Sequence, residues 1–269
     1  MILVNGLPTT HIAALDRGFH YGDGVFETIA VRNHQAQCWP QHLERLQHGC
    51  ARLRIACPEA SLLQSEVEQL GALQAEGVLK IIVSRGVGAR GYRSEPTATA
   101  TRVLALYPMP HYPAEYNALG VRVRVCATRL ATQPLLAGIK HLNRLEQVLA
   151  RQEWDDVGIA EGLMLDSDDN VIEGTMSNIF MVQHGTLYTP NLDRCGIEGI
   201  MRKRVLERAR MLRISTHLTS LRITALLQAD ELFLTNSVIG IWPVRELAGT
   251  AFSPGPLTQQ LSASLSGHD

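Results

Sequence analysis

A chain of 269 residues, 45% hydrophobic and 19% charged, suits one large or two modest domains and can bury a substantial core. Its formal net charge of -1, with no long basic or acidic block, argues against nucleic acid as the main partner, because phosphate contacts need concentrated positive charge. Cys38, Cys50, Cys57, Cys126 and Cys195 show no CxxC spacing, which argues against a disulfide framework or a metal site and for reduced thiols in a cytoplasm.

Met1 to Val4 reads as a short strand turned at Asn5-Gly6. The glycine-rich run 16–24 opens into a strand over Val25 to Val31, with Asn33-His34 as a hairpin tip and Ala36 to Trp39 returning. Its glycines lack the GxxxxGK[ST] order of a phosphate loop. Pro40 starts a helix with Leu43, Leu46, Cys50 and Leu53 on one stripe. Arg45 sits beside that stripe, where a surface residue also fits. A second helix runs from Ala60 to Ala75, and Gly77 stops it. Strands follow at Val78 to Ser84 and Thr101 to Tyr107. Between them Arg85 to Arg93 forms a loop with three arginines and Tyr92. Guanidinium forks match carboxylates, although an ordinary solvated turn has the same composition.

Pro108 to Pro113 holds three prolines in six residues, a stiff extended segment that neither helix nor sheet can absorb. The expected division is a smaller domain over 1–107, a linker over 108–116 and a larger domain over 117–269. The larger part begins with a strand at Val121 to Ala127. Leu135 to Glu146 then kinks at Gly138, presents Lys140 and enters an amphipathic helix with Leu142, Leu145, Val148 and Leu149. A strand at Glu161 to Leu165 turns at Asp168 to Asn170 into Val171 to Val182. His184-Gly185 makes a hairpin to Leu187–Pro190. A helix from Gly199 to Leu212 leaves open N–H groups at its start, which suits an anion. A strand at Ile214 to Leu218, a short helix at Leu221 to Leu227, and strands at Glu231 to Thr235 and Ile239 to Val244 complete the set. The tail after Ser253 is expected to fray. No apolar run reaches membrane-spanning length, and the first residues lack the charged start of a signal peptide.

Lysine is scarce: the 25 basic residues include only Lys80, Lys140 and Lys203. Lys203 lies on a charged helix face, and Lys80 suits the wet side of a strand. Lys140 follows an apolar segment, where lost hydration lowers an amine's pKa toward the range in which the free base attacks a carbonyl. A lysine that merely starts a helix would look the same. Pyridoxal phosphate asks for an amine at its aldehyde, an acid at its ring nitrogen and an anion cradle at its phosphate. Lys140, Glu173 and the Gly199 helix start can supply the three, with Arg45 and Ser237 as further phosphate candidates.

The most specific block is Leu136-Ala137-Gly138-Ile139-Lys140-His141-Leu142-Asn143-Arg144-Leu145-Glu146-Gln147. Beside it stand Tyr21-Gly22-Asp23-Gly24-Val25-Phe26-Glu27-Thr28, Ser84-Arg85-Gly86 with Gly88 and Arg90-Gly91-Tyr92, Glu173 with Ser177-Asn178-Ile179-Phe180, and Gly196 with Gly199-Ile200-Met201-Arg202. With these motifs nearly the whole chain resembles the fold-type IV pyridoxal-phosphate enzymes, the branched-chain and D-amino-acid aminotransferase class. Within that class it is most similar to the bacterial aminodeoxychorismate lyases.

The resemblance implies an α+β fold of two domains, a smaller N-terminal α/β domain and a larger C-terminal pseudo-barrel domain carrying the cofactor lysine. It implies a homodimer, with neither nucleic acid nor membrane as partner. The implied reaction takes the small molecule 4-amino-4-deoxychorismate to 4-aminobenzoate and pyruvate, a step of folate biosynthesis. Lys140 is implied to hold the cofactor aldehyde and Glu173 the pyridine nitrogen. Arg45, Gly199, Ile200, Met201 and Ser237 are implied at the phosphate. The class often has threonine where this chain has Met201, so only the backbone N–H can serve there. Thr28 is a candidate proton relay, and Arg90, Tyr92 and Asn236 are candidates for the substrate carboxylates. An aminotransferase on the same scaffold is the rival activity. D-amino-acid members carry an Arg-x-His pair in the loop, and Arg90-Gly91-Tyr92 lacks that histidine. An inert copy of the fold, acting as a binding protein, is the non-enzymatic rival.

Overall fold

Alternating apolar residues in the first hundred positions build an antiparallel sheet with one greasy face. In the computed structural model, which describes residues 1–95 and 98–266, this sheet belongs to the first of two compact units. That unit holds β1 (Ile2–Val4), β2 (Leu7–Pro8), α1 (Arg17–Tyr21), β3 (Gly24–Arg32), β4 (Gln35–Ala36), α2 (Trp39–Leu53), α3 (Ala60–Gly71), β5 (Glu76–Ser84) and β6 (Thr101–Tyr107). The strand order is β2-β1-β6-β5-β3-β4, with antiparallel neighbours throughout. Val25, Ile29 and Val31 of β3, with Leu79, Ile81 and Val83 of β5, pack under Leu46 and Cys50 of α2 and Leu63, Val67 and Leu70 of α3. Each such side chain, fully buried, contributes about 1.5–3 kcal/mol. Because side chains alternate, Phe26, Thr28, Lys80 and Ile82 share the opposite face.

Short helix α1 is absent from the sequence reading. Asp16 makes it: its Oδ1 accepts the Gly18 N–H at 2.8 Å, and Gly22 ends it in the left-handed region at φ 64°. Helix α2 begins at Trp39, so the returning strand is only Gln35–Ala36. Helix α3 stops at Gly71, short of the expected Ala75, and Gly77 lies inside β5.

The second unit comprises α4 (Glu115–Leu119), β7 (Val121–Leu130), α5 (Leu145–Arg151), β8 (Ile159–Asp166), β9 (Val171–Gly174), β10 (Asn178–Gln183), β11 (Thr186–Pro190), α6 (Ile200–Met211), β12 (Thr216–Thr219), α7 (Ile223–Leu226), β13 (Glu231–Asn236), β14 (Gly240–Leu247), β15 (Thr250–Ala251) and α8 (Pro256–Ser266). Its nine strands run β12-β11-β10-β13-β14-β7-β8-β9, with β15 on β14. The pairs β11/β12, β14/β7 and β7/β8 are parallel. A bridge from Val171 to Leu221 curls the β9 end of this sheet back toward the chain that follows β12. The inner face gathers Val123, Leu163, Ile179, Met181, Leu234 and Trp242. The other face of the same strands carries Phe180, Val182, Phe233 and Ile241 against α6 and α8. Both units mix helices with mostly antiparallel strands, the α+β class.

The structure corrects three expectations here. The tail after Ser253 does not fray: Pro256–Ser266 is helix α8, and Leu261 and Leu265 are buried. The helix after Lys140 starts only at Leu145, and its apolar residues face out: Leu145 is 75% exposed, with Val148 and Leu149 also exposed, while Gln147 and Ala150 are buried. Residues 139–143, Lys140 among them, cluster with the first unit, not with the larger second one. The reason is backbone pairing: Leu142 N–H donates to Gly24 O at 2.9 Å, and His141 bridges Val25.

Candidate active site

In the first unit the Lys140 segment lies along the start of β3. Phe26 N–H donates to Lys140 O at 2.9 Å, and Lys140 Nζ sits 4.3 Å from the centroid of the Phe26 ring. Lys80 Nζ lies 5.2 Å from the same centroid. Thr28, two residues after Phe26 and opposite Lys80 in register, is on that face. The structure therefore brings Lys140 to the sheet face that carries Thr28.

Arg45 lies on α2 above a carboxylate that the sequence reading passed over. Its Nε and Nη2 donate to Glu27 Oε1 and Oε2 at 2.8 and 2.6 Å, and His42 Nδ1 meets Oε2 at 2.6 Å. Burial pushes the Glu27 carboxyl up, but the charge of Arg45 and hydrogen bonds from Arg45 and His42 outweigh it and hold the carboxyl at about 2. Burial pushes the His42 imidazole down despite Glu27, so His42 is neutral and donates its Nδ1–H. Its Nε2 is buried without a partner among the described residues. Glu27 was legible in principle: it falls on the inward phase of Val25, Ile29 and Val31.

The loop after β5 is fixed at its base. Arg17 donates from Nε to Asp23 at 2.9 Å, from Nη1 to Gly91 O at 2.8 Å and from Nη2 to Tyr92 O at 3.0 Å. Gly91 N–H donates to the Tyr21 hydroxyl at 3.1 Å. The side chains proposed for substrate, Arg90 and Tyr92, are exposed.

In the second unit Glu173, on β9, is buried, and its Oε2 accepts the Ile197 N–H at 2.8 Å. Asn178 Nδ2 donates to Ile197 O at 2.9 Å, so one peptide unit is gripped from both sides. Two arginines, the half-buried Arg144 and the buried Arg202, feel the charge of Glu173. Burial pushes the guanidinium pKa of Arg144 and of Arg202 down; attraction to Glu173 opposes it at Arg144, and attraction to Glu198 and then Glu173 opposes it at Arg202. The 196–198 segment is also stitched to Gly138: Gly138 N–H donates to Gly196 O at 2.9 Å, and Glu198 N–H donates to Gly138 O at 3.0 Å. Gly138 has φ 81°, which favours glycine, and Lys140 follows it by two residues.

Gly199 caps α6 with no side-chain hydrogen bond, leaving the Ile200 and Met201 end of the helix uncapped by side chains. A Cβ at Gly199 would fall 2.1 Å from Asn178 Oδ1, so only glycine fits. The Met201 side chain packs into the core with Val205 and Phe180 and leaves its backbone for any anion. Asn236 Oδ1 accepts the N–H groups of Val238 and Ile239 at 2.8 and 2.9 Å, and Nδ2 donates to Met176 O at 3.0 Å. Asn236 thus braces the turn that holds Ser237. Taken singly, the Lys140 amine, the buried Glu173 carboxylate and the uncapped Gly199 helix start each fit the chemistry of one part of pyridoxal phosphate.

A family model described as amino-transferase class IV matches residues 24–247. The chain belongs to the amino-transferase class IV family. This class IV chain is 36% identical over 269 residues to the aminodeoxychorismate lyase of Vibrio harveyi, covering 98% of this chain and 99% of that one. The crystal structure of 4-amino-4-deoxychorismate lyase from Pseudomonas aeruginosa matches it with a TM-score of 0.96 at 46% identity, over 100% of this chain and 99% of the other. The D-alanine aminotransferase of Bacillus licheniformis is 28% identical over 257 residues, 93% of this chain and 89% of its own. Among the described residues, no helix is long and apolar enough to cross a membrane.

Proposed function

We infer that the chain is an aminodeoxychorismate lyase, a pyridoxal-phosphate enzyme that converts 4-amino-4-deoxychorismate to 4-aminobenzoate and pyruvate. The observation that carries this reading is the end-to-end likeness to two proteins of that name, at 36% and 46% identity. When bound, pyridoxal phosphate supplies an electron sink for the carbon that loses a proton. Lys140 would hold the cofactor aldehyde, and its amine would take the C4 proton of the substrate. Glu173 accepts a hydrogen bond from the ring nitrogen. The backbone N–H groups at Gly199, Ile200 and Met201, with Arg45 and Ser237, hold the phosphate. Thr28 passes a proton to the departing enolpyruvyl group. Arg90 and Tyr92 hold substrate carboxylates, joined by the second amide hydrogen of Asn236. Loss of the enolpyruvyl group makes the ring aromatic, so the protein's task is positioning and proton transfer.

The enzyme acts in the cytoplasm as a homodimer in this reading. Five free cysteines support the compartment, and the outward Leu145, Val148 and Leu149 of α5 support the second copy. The test supplies the purified protein, loaded with pyridoxal phosphate, with 4-amino-4-deoxychorismate and follows pyruvate and 4-aminobenzoate together. Equal amounts of both are expected, and none of either from Lys140→Ala. Transfer of the amino group to a 2-oxoacid without pyruvate would assign the chain to the aminotransferases instead.

A further inference from the structure

Glu161 is 0% exposed on β8, in a strand otherwise apolar around it, and the reaction above gives it no task. Its carboxylate gathers five donors. Oε1 accepts the N–H of Gly162 at 2.9 Å, the N–H of Thr175 at 3.1 Å and the Thr175 hydroxyl at 2.5 Å. Oε2 accepts the Met176 N–H at 3.1 Å and the Ser177 hydroxyl at 2.8 Å. Four of the five come from residues 175–177, the turn between β9 and β10. A Cβ at Gly174 would lie 2.8 Å from Oε2 and 2.3 Å from Ser177 Oγ, so glycine is what lets the carboxylate come this close.

The flanks of that turn are Glu173 and Asn178, and they hold the N–H and the C=O of Ile197. The turn's own Met176 O is held by Asn236, whose other atom closes the turn around Ser237. The spacing between Glu173 and Asn178 therefore sets where the 196–199 segment and the start of α6 lie.

We propose that Glu161 is a positioning residue: by fixing the 174–177 turn it aims Glu173 at the cofactor's ring nitrogen and sets the Gly199 helix start for the phosphate. This rests on the assignment of Glu173 and Gly199 in the proposed function. Glu161→Gln keeps the shape but turns an NH2 group toward hydroxyl and N–H donors, leaving at least one buried donor unmet.

The experiment compares the wild type, Glu161→Gln and Leu265→Ala, a core change on α8 that lowers stability without touching the turn. In the protein freed of cofactor, amide exchange over 174–178 and 196–199 is expected to quicken about tenfold in Glu161→Gln, the scale of one unmet buried donor. It stays at the wild-type rate in Leu265→Ala. Pyridoxal phosphate, titrated by absorbance, is expected to bind about tenfold more weakly to Glu161→Gln only. Unchanged exchange in those two segments, or equal weakening in Leu265→Ala, would overturn the proposal. A wild type that binds no pyridoxal phosphate would sink the cofactor reading, while the exchange rates still decide whether Glu161 holds the turn.

Discussion

In the first unit, buried or half-buried carboxylates other than the helix-capping Asp16 meet arginines: Glu27 meets Arg45, Asp23 meets Arg17 and Arg85, and Glu66 meets Arg102 in a fork of 2.8–3.0 Å contacts. In the second unit, buried carboxylates meet backbone N–H groups. Glu161 and Glu173 do so beside the candidate site. Asp166 takes the N–H of Asp168 and Asn170, each at 2.9 Å, and Glu231 takes those of Leu257 and Thr258 at 3.1 and 2.7 Å. The two solutions do different work. A guanidinium partner fixes a side chain and keeps it charged and aimed. A set of amide partners fixes the course of the main chain. The first unit thus presents cations, and the second shapes turns and helix starts.

The sharpest break of that contrast is Glu27→Gln. It strands Arg45 and His42 over a core with no anion between them. Removing one partner of a buried pair costs about 3–5 kcal/mol, and the urea midpoint reads it directly. A double variant, Glu27→Gln with Arg45→Met, should recover most of the loss because the second charge leaves too. A single variant that loses less than about 1 kcal/mol would show that Arg45 reaches water easily and that Glu27 is not its anchor.

Acid should find the same group next. The folded value for Glu27, about 2, lies below its ordinary 4.5, so the folded state favours the charged form. Its stabilisation is complete above pH 4.5 and is lost as pH falls toward 2, a change of about 3 kcal/mol. His42 adds to the slope earlier: held neutral in the fold, it costs stability as the unfolded chain takes protons below its ordinary 6.5. Urea midpoints at pH 7, 4.5 and 3 should fall for the wild type and lose the lower step in Glu27→Gln. A Glu27→Gln profile parallel to the wild type would place the acid sensitivity elsewhere.

These carboxylates mark where sequence reading ran out. Strands such as Val78 to Ser84 and Thr101 to Tyr107 were legible because they are short, mostly apolar runs bounded by Gly77 and Pro108. The Gly199 helix start was legible because its glycine and following residues are local signals. Helix α8 was not: Leu261 and Leu265 declare a helix only once α6 and β13 give them something to cover. On α5 the apolar spacing was helical, yet Leu145 and Val148 point outward, and a lone periodicity does not say which side the core is on. Glu27 and Glu161 each interrupt an apolar phase, a signal of a buried charge, but the partners of Glu27 are 15 to 18 residues away along the chain, and those of Glu161 other than Gly162 are 14 to 16 away.

The backbone-held class has its own test in Glu231→Ala. Glu231 lies on β13, far along the chain from α8, yet it caps that helix through Leu257 and Thr258, and a Cβ on Gly255 would strike its carboxyl carbon at 2.1 Å. Loss of a helix cap costs about 1–2 kcal/mol. The melting temperature should drop by a few degrees, and amide exchange should quicken over 256–266 while β13 itself stays protected. Quickening spread evenly over the unit would mean that Glu231 supports the sheet and not the helix.

The second unit also has arginine pairs, and they give the smallest expected effect. Arg122 meets Glu246 at 3.2 Å and Asp156 at 3.5 Å, with side chains 34%, 38% and 51% exposed. Water already solvates all three groups, so the pair gains little Coulomb energy, and salt at 0.15 M screens it over about 8 Å. Glu246→Gln should therefore cost less than about 0.5 kcal/mol at low salt and nothing measurable at high salt. Chemically this is the change made at Glu27, a carboxylate turned to an amide beside an arginine. If the two variants lost similar stability, burial would not be what separates them, and the contrast between the units would fail at its physical root.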